Sequence, residues 1–170
     1  MGISLVKLSD YKAYAGISST TQDNTINSLI TKTSALVKSI CGNSFVDYVD
    51  EAKVEVFKGG YSLMPKEYPL LAINSVELST DYGKTYTDLI EYTDYTIDWE
   101  NEEVIPLTTS TFPVYVNGYK VTYTAGYEEL PEDLKLAITA ETEEIAVKVA
   151  ALEAKLAELE GVDFSKEIAD

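Results

Sequence analysis

The sequence contains no histidine, no arginine and a single cysteine among its 170 residues. A serine or cysteine nucleophile needs a neighbouring base, most often histidine, so the common acyl-transfer sites are not expected. Zinc sites built from cysteine and histidine are not expected either. Cys41 cannot form an internal disulfide, which fits synthesis in a reducing cytoplasm. It falls on the apolar face of a predicted helix, so we predict that it is buried as a small hydrophobic side chain.

Long hydrophobic runs and phosphate-binding loops are missing as well. No stretch of about 18 apolar residues is present, so neither a transmembrane span nor a membrane partner is expected. The N-terminus lacks the apolar region of a secretory signal. No glycine-rich phosphate loop appears, and no cofactor is expected. With 45% hydrophobic residues, the chain can nevertheless bury the core of one ordinary domain.

Charge is the most unusual property of the residues that are present. The net charge is −16, and all 13 positive residues are lysine. Residues 1–60 have no net charge, whereas residues 61–127 carry −7 and residues 128–170 carry −9. Because affinity for nucleic acid comes mainly from neutralising phosphates, this chain is a poor candidate for holding DNA. DNA that comes near it should be repelled.

Two helices are predicted in the first part of the chain. The first spans Asp10–Ala15, with Ser9 as its N-cap and Gly16 as its C-terminal stop. The second ends at about Cys41, before a glycine. Apolar residues recur along it at helical spacing, which predicts one buried face. That face consists of Ile26, Leu29, Ile30, Thr33, Leu36, Val37, Ile40 and Cys41.

From Phe45 the apolar residues change to a period of two, which is typical of strands. After the last strand, Ala125-Gly126 should form a turn, because glycine adopts backbone conformations that other residues resist. The close spacing of the strands predicts a small, mainly antiparallel sheet, and together with the helices an α+β fold. The predicted strands are Ala52–Phe57, Ile73–Ser79, the hairpin of Tyr95–Trp99 with Val104–Pro106, and Gly118–Thr124.

The third predicted helix begins at Pro131 and runs to about residue 160. Its apolar residues recur at heptad spacing, with Thr142 filling a vacant position. At about 1.5 Å per residue the helix should be roughly 45 Å long, more than its own domain can cover. We therefore expect another protein chain to cover this seam. The seam consists of Ile138, Ile145, Val149, Leu152, Leu156 and Leu159.

These patterns predict three segments. Residues 1–130 should form a domain of helices and a small sheet, residues 131–161 a long helix that acts as an interface arm, and residues 162–170 an acidic tail.

Acidic residues cluster around the predicted hairpin. Alternate carboxylates at Asp98, Glu100 and Glu102 resemble oxygen ligands for a hard cation, although their order does not match an EF-hand loop. A solvated, charged turn is the favoured interpretation. A metal site, or a cation-dependent hydrolase that uses Asp98 and Glu100, is the alternative. The cluster consists of Asp94, Asp98, Glu100, Glu102 and Glu103.

The order of the predicted elements is similar to that of a known family. LVKLSDYKAYAGI covers the first helix, ALVKSICGNSF closes the second, and VTYTAGY leads from the last strand towards LPEDLKLAI in the third helix. Over about residues 4–145, the chain resembles the head–tail connector (adaptor) proteins of tailed bacteriophages. The resemblance implies a helical bundle beside a small β-domain.

The resemblance also implies a function. Such proteins form a ring of about twelve copies beneath the portal, line the DNA channel and receive the next neck protein. The chain would then be made in the host bacterial cytoplasm and reside in the virion neck. The seam would be a subunit or portal interface, and the acidic cluster would face the lumen or the outer surface. The alternative is an oligomeric coiled-coil adaptor unconnected with phages, with two or three chains.

Overall fold

The computed structural model describes residues 2–160, with side chains described as far as Glu158. The predicted acidic tail at 162–170 lies outside the described residues. The α+β fold is confirmed: helices precede and follow a small antiparallel β-region. None of the described helices is long and apolar enough to span a membrane. In chain order the elements are α1 (Leu8–Ala15), α2 (Asp23–Cys41), β1 (Tyr48–Phe57), β2 (Leu70–Leu78), β3 (Thr87–Asp88), β4 (Tyr95–Asp98), β5 (Glu103–Pro106), β6 (Tyr119–Ala125) and α3 (Glu132–Glu160).

The chain divides into two compact units. The β-unit contains Gly2 and Ile3 together with Lys38–Pro131, and the helical unit contains Ser4–Val37 together with α3. The predicted division placed the N-terminal helices with the sheet, whereas the structure groups α1 and most of α2 with α3. The reason is that α1 packs directly against α3. The structure divides the chain after Pro131, one residue later than the predicted boundary after Leu130.

The β-unit is built around β6. Its main sheet has the antiparallel order β1-β6-β2-β3, while β4 and β5 form a separate hairpin. Along β6, Tyr119, Val121, Tyr123 and Ala125 are buried and alternate with half-buried residues. This alternation places one face of the strand in the core, as its sequence pattern predicts. The core cluster consists of Leu63, Leu70, Val76, Tyr95, Val104, Phe112, Tyr119, Val121, Tyr123 and Ala125.

The predicted strands are all present, but β1 and β2 begin earlier than predicted. The register of β1 on β6 shifts between Tyr48 and Lys53, and that of β2 shifts between Leu70 and Ala72. A bulge inserts an extra residue and breaks the period-two pattern at these points. The sequence therefore identifies only the regular part of each strand.

The turn after β6 is confirmed and requires glycine. Gly126 has a φ of +116°, and a Cβ built on it would lie 2.4 Å from the carbonyl oxygen of Phe45. The Gly126 N–H donates to the Pro69 carbonyl at 2.8 Å, and the Tyr127 N–H donates to the Phe45 carbonyl at 2.6 Å. The end of β6 is thus bonded to two separate loops of the β-unit.

A partly buried ionic network holds one end of the sheet. The Lys53 ammonium donates to Glu67 at 2.7 Å and lies 3.1 Å from Glu55. The carboxylate of Glu67 also accepts the Ser44 N–H at 2.6 Å, and the Glu67 N–H donates to the Tyr123 hydroxyl at 3.2 Å. Burial lowers the pKa of Lys53, but its bonds to the two glutamates outweigh burial and raise it. Through these bonds, Lys53 on β1 and Tyr123 on β6 are connected to the loops that contain Ser44 and Glu67.

The N-terminal helix differs from the prediction at its start. It begins at Leu8, and its N-cap residue, Lys7, makes no side-chain capping bond. The predicted cap, Ser9, lies inside the helix, where its hydroxyl donates to Asp10. Gly16 ends the helix in the left-handed conformation, as predicted.

The apolar face of α2 is confirmed only in its first part. Ile26, Ile30 and Thr33 are buried, but Ile40 is 75% exposed and Cys41 is exposed as well. The prediction that Cys41 is buried is therefore wrong. Apolar residues continue to the end of α2. Other described residues, however, cover only the first part of that apolar face.

Replacement of Gly126 by alanine should destabilise the protein strongly. The new Cβ would collide with the carbonyl oxygen of Phe45, and the backbone at position 126 has a positive φ that alanine rarely adopts. We therefore expect the free energy of unfolding to fall by about 3 kcal/mol. Gly42→Ala is the control, because its φ is +66° and no heavy atom lies within 4 Å of the added Cβ. The control should cost about 1 kcal/mol. Equal losses in urea denaturation would contradict the steric explanation.

Removal of the buried carboxylate from this partly buried network should also destabilise the protein. Glu67→Gln leaves the ammonium of Lys53 with one carboxylate, and we expect a loss of about 3 kcal/mol in the free energy of unfolding. The control is Glu144→Gln, which breaks an exposed pair with Lys148 on α3 and should leave stability nearly unchanged. A Glu67→Gln variant as stable as this control would show that the network is not stabilising.

Candidate assembly surfaces

The seam on α3 is covered at its beginning. The helix begins at Glu132, one residue after Pro131, and Glu132 and Asp133 place negative charge in the first turn. Ile138 and Thr142 are buried. The Thr142 hydroxyl donates to the Ile138 carbonyl at 2.7 Å, so its polar group is satisfied within the helix.

The same seam is uncovered at its end. Ile145 and Val149 are half-buried, whereas Leu152 is 64% exposed and Leu156 is 56% exposed. Every described side chain from Ala151 onward is exposed. The side chain of Leu159 lies outside the described residues. The helix therefore extends beyond its own cover, as its length predicts, while the role of these residues at an interface stays a prediction.

We call residues 151–158 the α3 arm. Its exposed leucines lie one helical turn apart, and the small residues Ala151, Ala154 and Ala157 lie on the opposite side of the helix. Glu153, Lys155 and Glu158 give it a net negative charge, so it is as acidic per residue as the chain as a whole.

The helical unit also contains an open, mainly apolar groove beside α3. At one side of it, the buried Tyr11 hydroxyl donates to the Glu143 carboxylate. Burial, followed by the hydrogen bond and charge of Glu143, raises the pKa of Tyr11 to about 12. The tyrosine therefore stays neutral and donates this bond at ordinary pH. We call this feature the helical groove; it is lined chiefly by Tyr11, Ile17, Ile26, Leu29, Val147 and Ala150.

The predicted acidic cluster is partly used to shape the hairpin. Asp98 accepts the N–H of Glu100 at 3.0 Å and the N–H and side-chain amide of Asn101 at 3.2 and 2.7 Å. The hydrogen bonds from Asn101 lower the pKa of Asp98. Asp94 accepts the N–H of Ile90 at 2.8 Å. These two carboxylates therefore act first as acceptors for local backbone groups.

The remaining acids of the cluster do not converge. The Glu103 carboxylate accepts the Ser62 hydroxyl, Glu100 is exposed, and Glu102 sits in a left-handed conformation with a φ of 55°. Within residues 2–160, no three acidic or cysteine side chains form a group that could hold a metal ion. Asp94, Asp98 and Glu103 thus bond to local groups of the hairpin and its neighbouring loop, and the role of the cluster stays a prediction.

The β-unit has exposed apolar loops that were not predicted from the sequence. Tyr61 is 84% exposed and Val114 is 74% exposed. Tyr61 directly follows Gly60, and Val114 lies two residues after Phe112. Gly60 and Phe112 hold the two segments together, because they exchange backbone hydrogen bonds at 3.0 and 2.7 Å. The only signal in the sequence is that residues 104–119 contain no charged side chain. These loops therefore expose apolar side chains next to backbone that is fixed by hydrogen bonds.

The chain matches the model of the family described as "HCP: Head completion protein" over residues 4–142. No curated protein matches it. In fold it is similar to a chain in the neck of an empty GTA particle computed with C6 symmetry, with a TM-score of 0.59, 12% identity, and coverage of 82% of this chain and 77% of that chain. A chain in the virion of the native gene transfer agent (GTA) particle gives the same values. For a chain in the native GTA neck computed with C12 symmetry, the TM-score is 0.53, the identity 12% and the coverage 85% and 80%.

At 12% identity, the likeness to these structures concerns the fold alone. The family match is more informative, because it extends from the segment before α1 to the buried part of the α3 seam. It confirms the resemblance to phage head–tail connector proteins that the order of the elements indicates. The chain belongs to the head completion protein family.

Proposed function

We propose that this chain is a structural protein of the virion neck that forms a ring of about twelve copies beneath the portal and joins the head to the tail. The observation that carries this proposal is the family match over residues 4–142. The C6 and C12 symmetries of the necks that contain similar chains support a ring of many copies. In this function the protein works by assembly rather than by catalysis, and it needs no cofactor.

The uncovered surfaces suggest how each copy meets its neighbours. The seam from Ile145 to Leu156 would contact adjacent subunits or the portal, since exposed apolar stripes of this kind mark protein interfaces. The loops with Tyr61 and Val114 would contact the next neck protein. Aromatic and aliphatic groups held on a fixed backbone are typical anchors of such contacts.

The acidic excess suits a channel through which DNA slides. The chain offers no arginine, and its β-unit and α3 carry most of the negative charge. Like-charge repulsion would keep DNA away from the wall, so that it passes without specific binding. Exposed acids such as Glu100 would face the lumen. The protein would be made in the host cytoplasm and then become part of the virion.

A charge introduced into the seam should prevent assembly without unfolding the sheet. Val149→Glu places a carboxylate on the half-buried stripe, and we expect no ring-sized species by light scattering and negative stain, alone or with the portal protein. The control is Lys148→Gln, which changes the net charge by the same amount on an exposed position. Ring assembly by Val149→Glu would show that the seam is not an interface.

The function itself can be tested by complementation. Heads assembled without this protein should contain DNA but fail to join tails, and the purified protein should restore the joining. Electron microscopy counts the joined particles. Heads that join tails equally well without the protein would overturn the proposed function.

A further inference from the structure

We propose that a pocket in the β-unit binds an arginine side chain of a different neck protein. This inference rests on the proposed function, and it names the chemistry by which the β-unit would contact its partner. Two features of the pocket support it: one carboxylate in a mainly apolar lining, and a buried tyrosine hydroxyl that has no hydrogen-bond partner within residues 2–160.

The ends of β2, β5 and β6 and the segments between them form this open pocket. Its volume is about 200 Å³, and all of its lining residues belong to the β-unit. Pockets that hold a whole small molecule usually measure about 300–1,000 Å³, so this one suits a single side chain. Its apolar and aromatic lining consists chiefly of Leu78, Leu89, Pro106, Phe112, Tyr115 and Tyr119.

Asp94 is the one charged side chain in the lining. Its Oδ2 atom accepts the Ile90 N–H at 2.8 Å, which fixes the carboxylate. The Oδ1 atom accepts no hydrogen bond from the described residues. Because a half-buried carboxylate is most stable when both oxygens have donors, a cation with N–H groups is the ligand that suits it best.

Tyr119 provides a second polar group. Its side chain is 2% exposed, yet its hydroxyl makes no hydrogen bond with the residues that the structure describes. Burial, followed by the nearby Tyr115, raises the pKa of Tyr119 to about 12, so the hydroxyl stays neutral and can accept a hydrogen bond. Since buried tyrosine hydroxyls usually have a partner, we expect a ligand to provide it.

The charge around the pocket also favours a cation. All lining residues except Leu78 come from residues 85–119, which contain seven acids and no lysine. Lys120 follows Tyr119 directly, but it lies on the opposite face of β6 and pairs there with Glu77. The local field therefore attracts positive groups and repels negative ones.

Arginine matches this set of groups better than lysine does. Its guanidinium is planar, carries five N–H donors and stacks on aromatic rings. It can thus donate to Asp94 and to Tyr119 at once while it contacts the aromatic wall. That wall is well packed, because the rings of Phe112 and Tyr119 meet edge to face with centroids 5.0 Å apart.

The arginine has to come from another protein, because this chain contains none. The pocket is continuous with the loop that we propose as the contact with the next neck protein. Pro113 and Tyr115 line the pocket on either side of Val114, which is 74% exposed. An arginine of that partner would enter the pocket as part of the same interface, and arginine is enriched at interfaces.

A titration with short peptides tests the pocket directly. The probe is a capped glycine–arginine–glycine peptide, added to the ¹⁵N-labelled full chain and followed by NMR. One control peptide carries citrulline, which keeps the shape of arginine without its charge, and another carries lysine. We expect saturable shifts at the amides of Leu89, Leu107 and Tyr115 with the arginine peptide. Binding should be about tenfold weaker with citrulline and several-fold weaker with lysine.

Variants of the full chain then locate the bound group. Asp94→Asn removes the charge but keeps an oxygen for the Ile90 N–H, and it should weaken binding of the arginine peptide about tenfold. Tyr119→Phe removes only the hydroxyl and should weaken binding about threefold. The control is Asp88→Asn, which removes an equal charge from an exposed position on β3 outside the pocket. It should bind like the wild type, and circular dichroism verifies that each variant is folded.

Equal binding of the arginine and citrulline peptides, an equal loss in Asp88→Asn, or shifts confined to amides away from the pocket would overturn the proposal. A lysine peptide that binds as tightly as the arginine peptide would overturn the choice of arginine. In the complementation of heads, Asp94→Asn should restore fewer joined particles than Asp88→Asn, and equal restoration would show that the neck does not use the pocket. The wild type is scored separately: joining that it restores leaves the proposed function standing even if no peptide binds.

Discussion

The burial of β6 between two partner strands is the constraint on which the β-unit depends. Its alternate side chains, among them Tyr119, Val121 and Tyr123, fill the core, and both of its edges are bonded to neighbours. Gly126 then turns the backbone so closely past the Phe45 carbonyl that no side chain fits. A few residues later the chain enters α3. Packing thus fixes the strand, and the positive φ of Gly126 fixes the turn. Pro131 then favours the start of the helix.

The long helix is more than an element of the core. Its seam passes from buried at Ile138 to exposed at Leu156, while its backbone remains regular. Full burial of one leucine side chain contributes about 1.5–3 kcal/mol, so two exposed leucines offer a few kcal/mol to a partner before the cost of association. Such a contact is weak by itself. In the ring proposed above it would recur between neighbouring copies, and this repetition would strengthen assembly.

Charge is used in two different ways in this protein. Lys53, Glu55 and Glu67 are brought together inside the β-unit, where each compensates for the burial of another. Asp98 accepts the local N–H groups of its hairpin, so its charge is partly committed to the fold. Other acids of the described residues, such as Glu100, Glu128 and Glu129, are exposed.

The sequence by itself determined the regular parts of the strands, the β4–β5 hairpin, the turn at Gly126, the start of α3 and the family resemblance. These depend on local patterns: period two, heptad spacing, and the conformations of glycine and proline. Only the tertiary structure decided that Cys41 and Ile40 are exposed, that α1 and most of α2 group with α3, and that Lys53 meets Glu67. It also formed the helical groove. The physical reason is that periodicity shows which face of an element is apolar, whereas the extent of its cover depends on where distant segments of the chain pack.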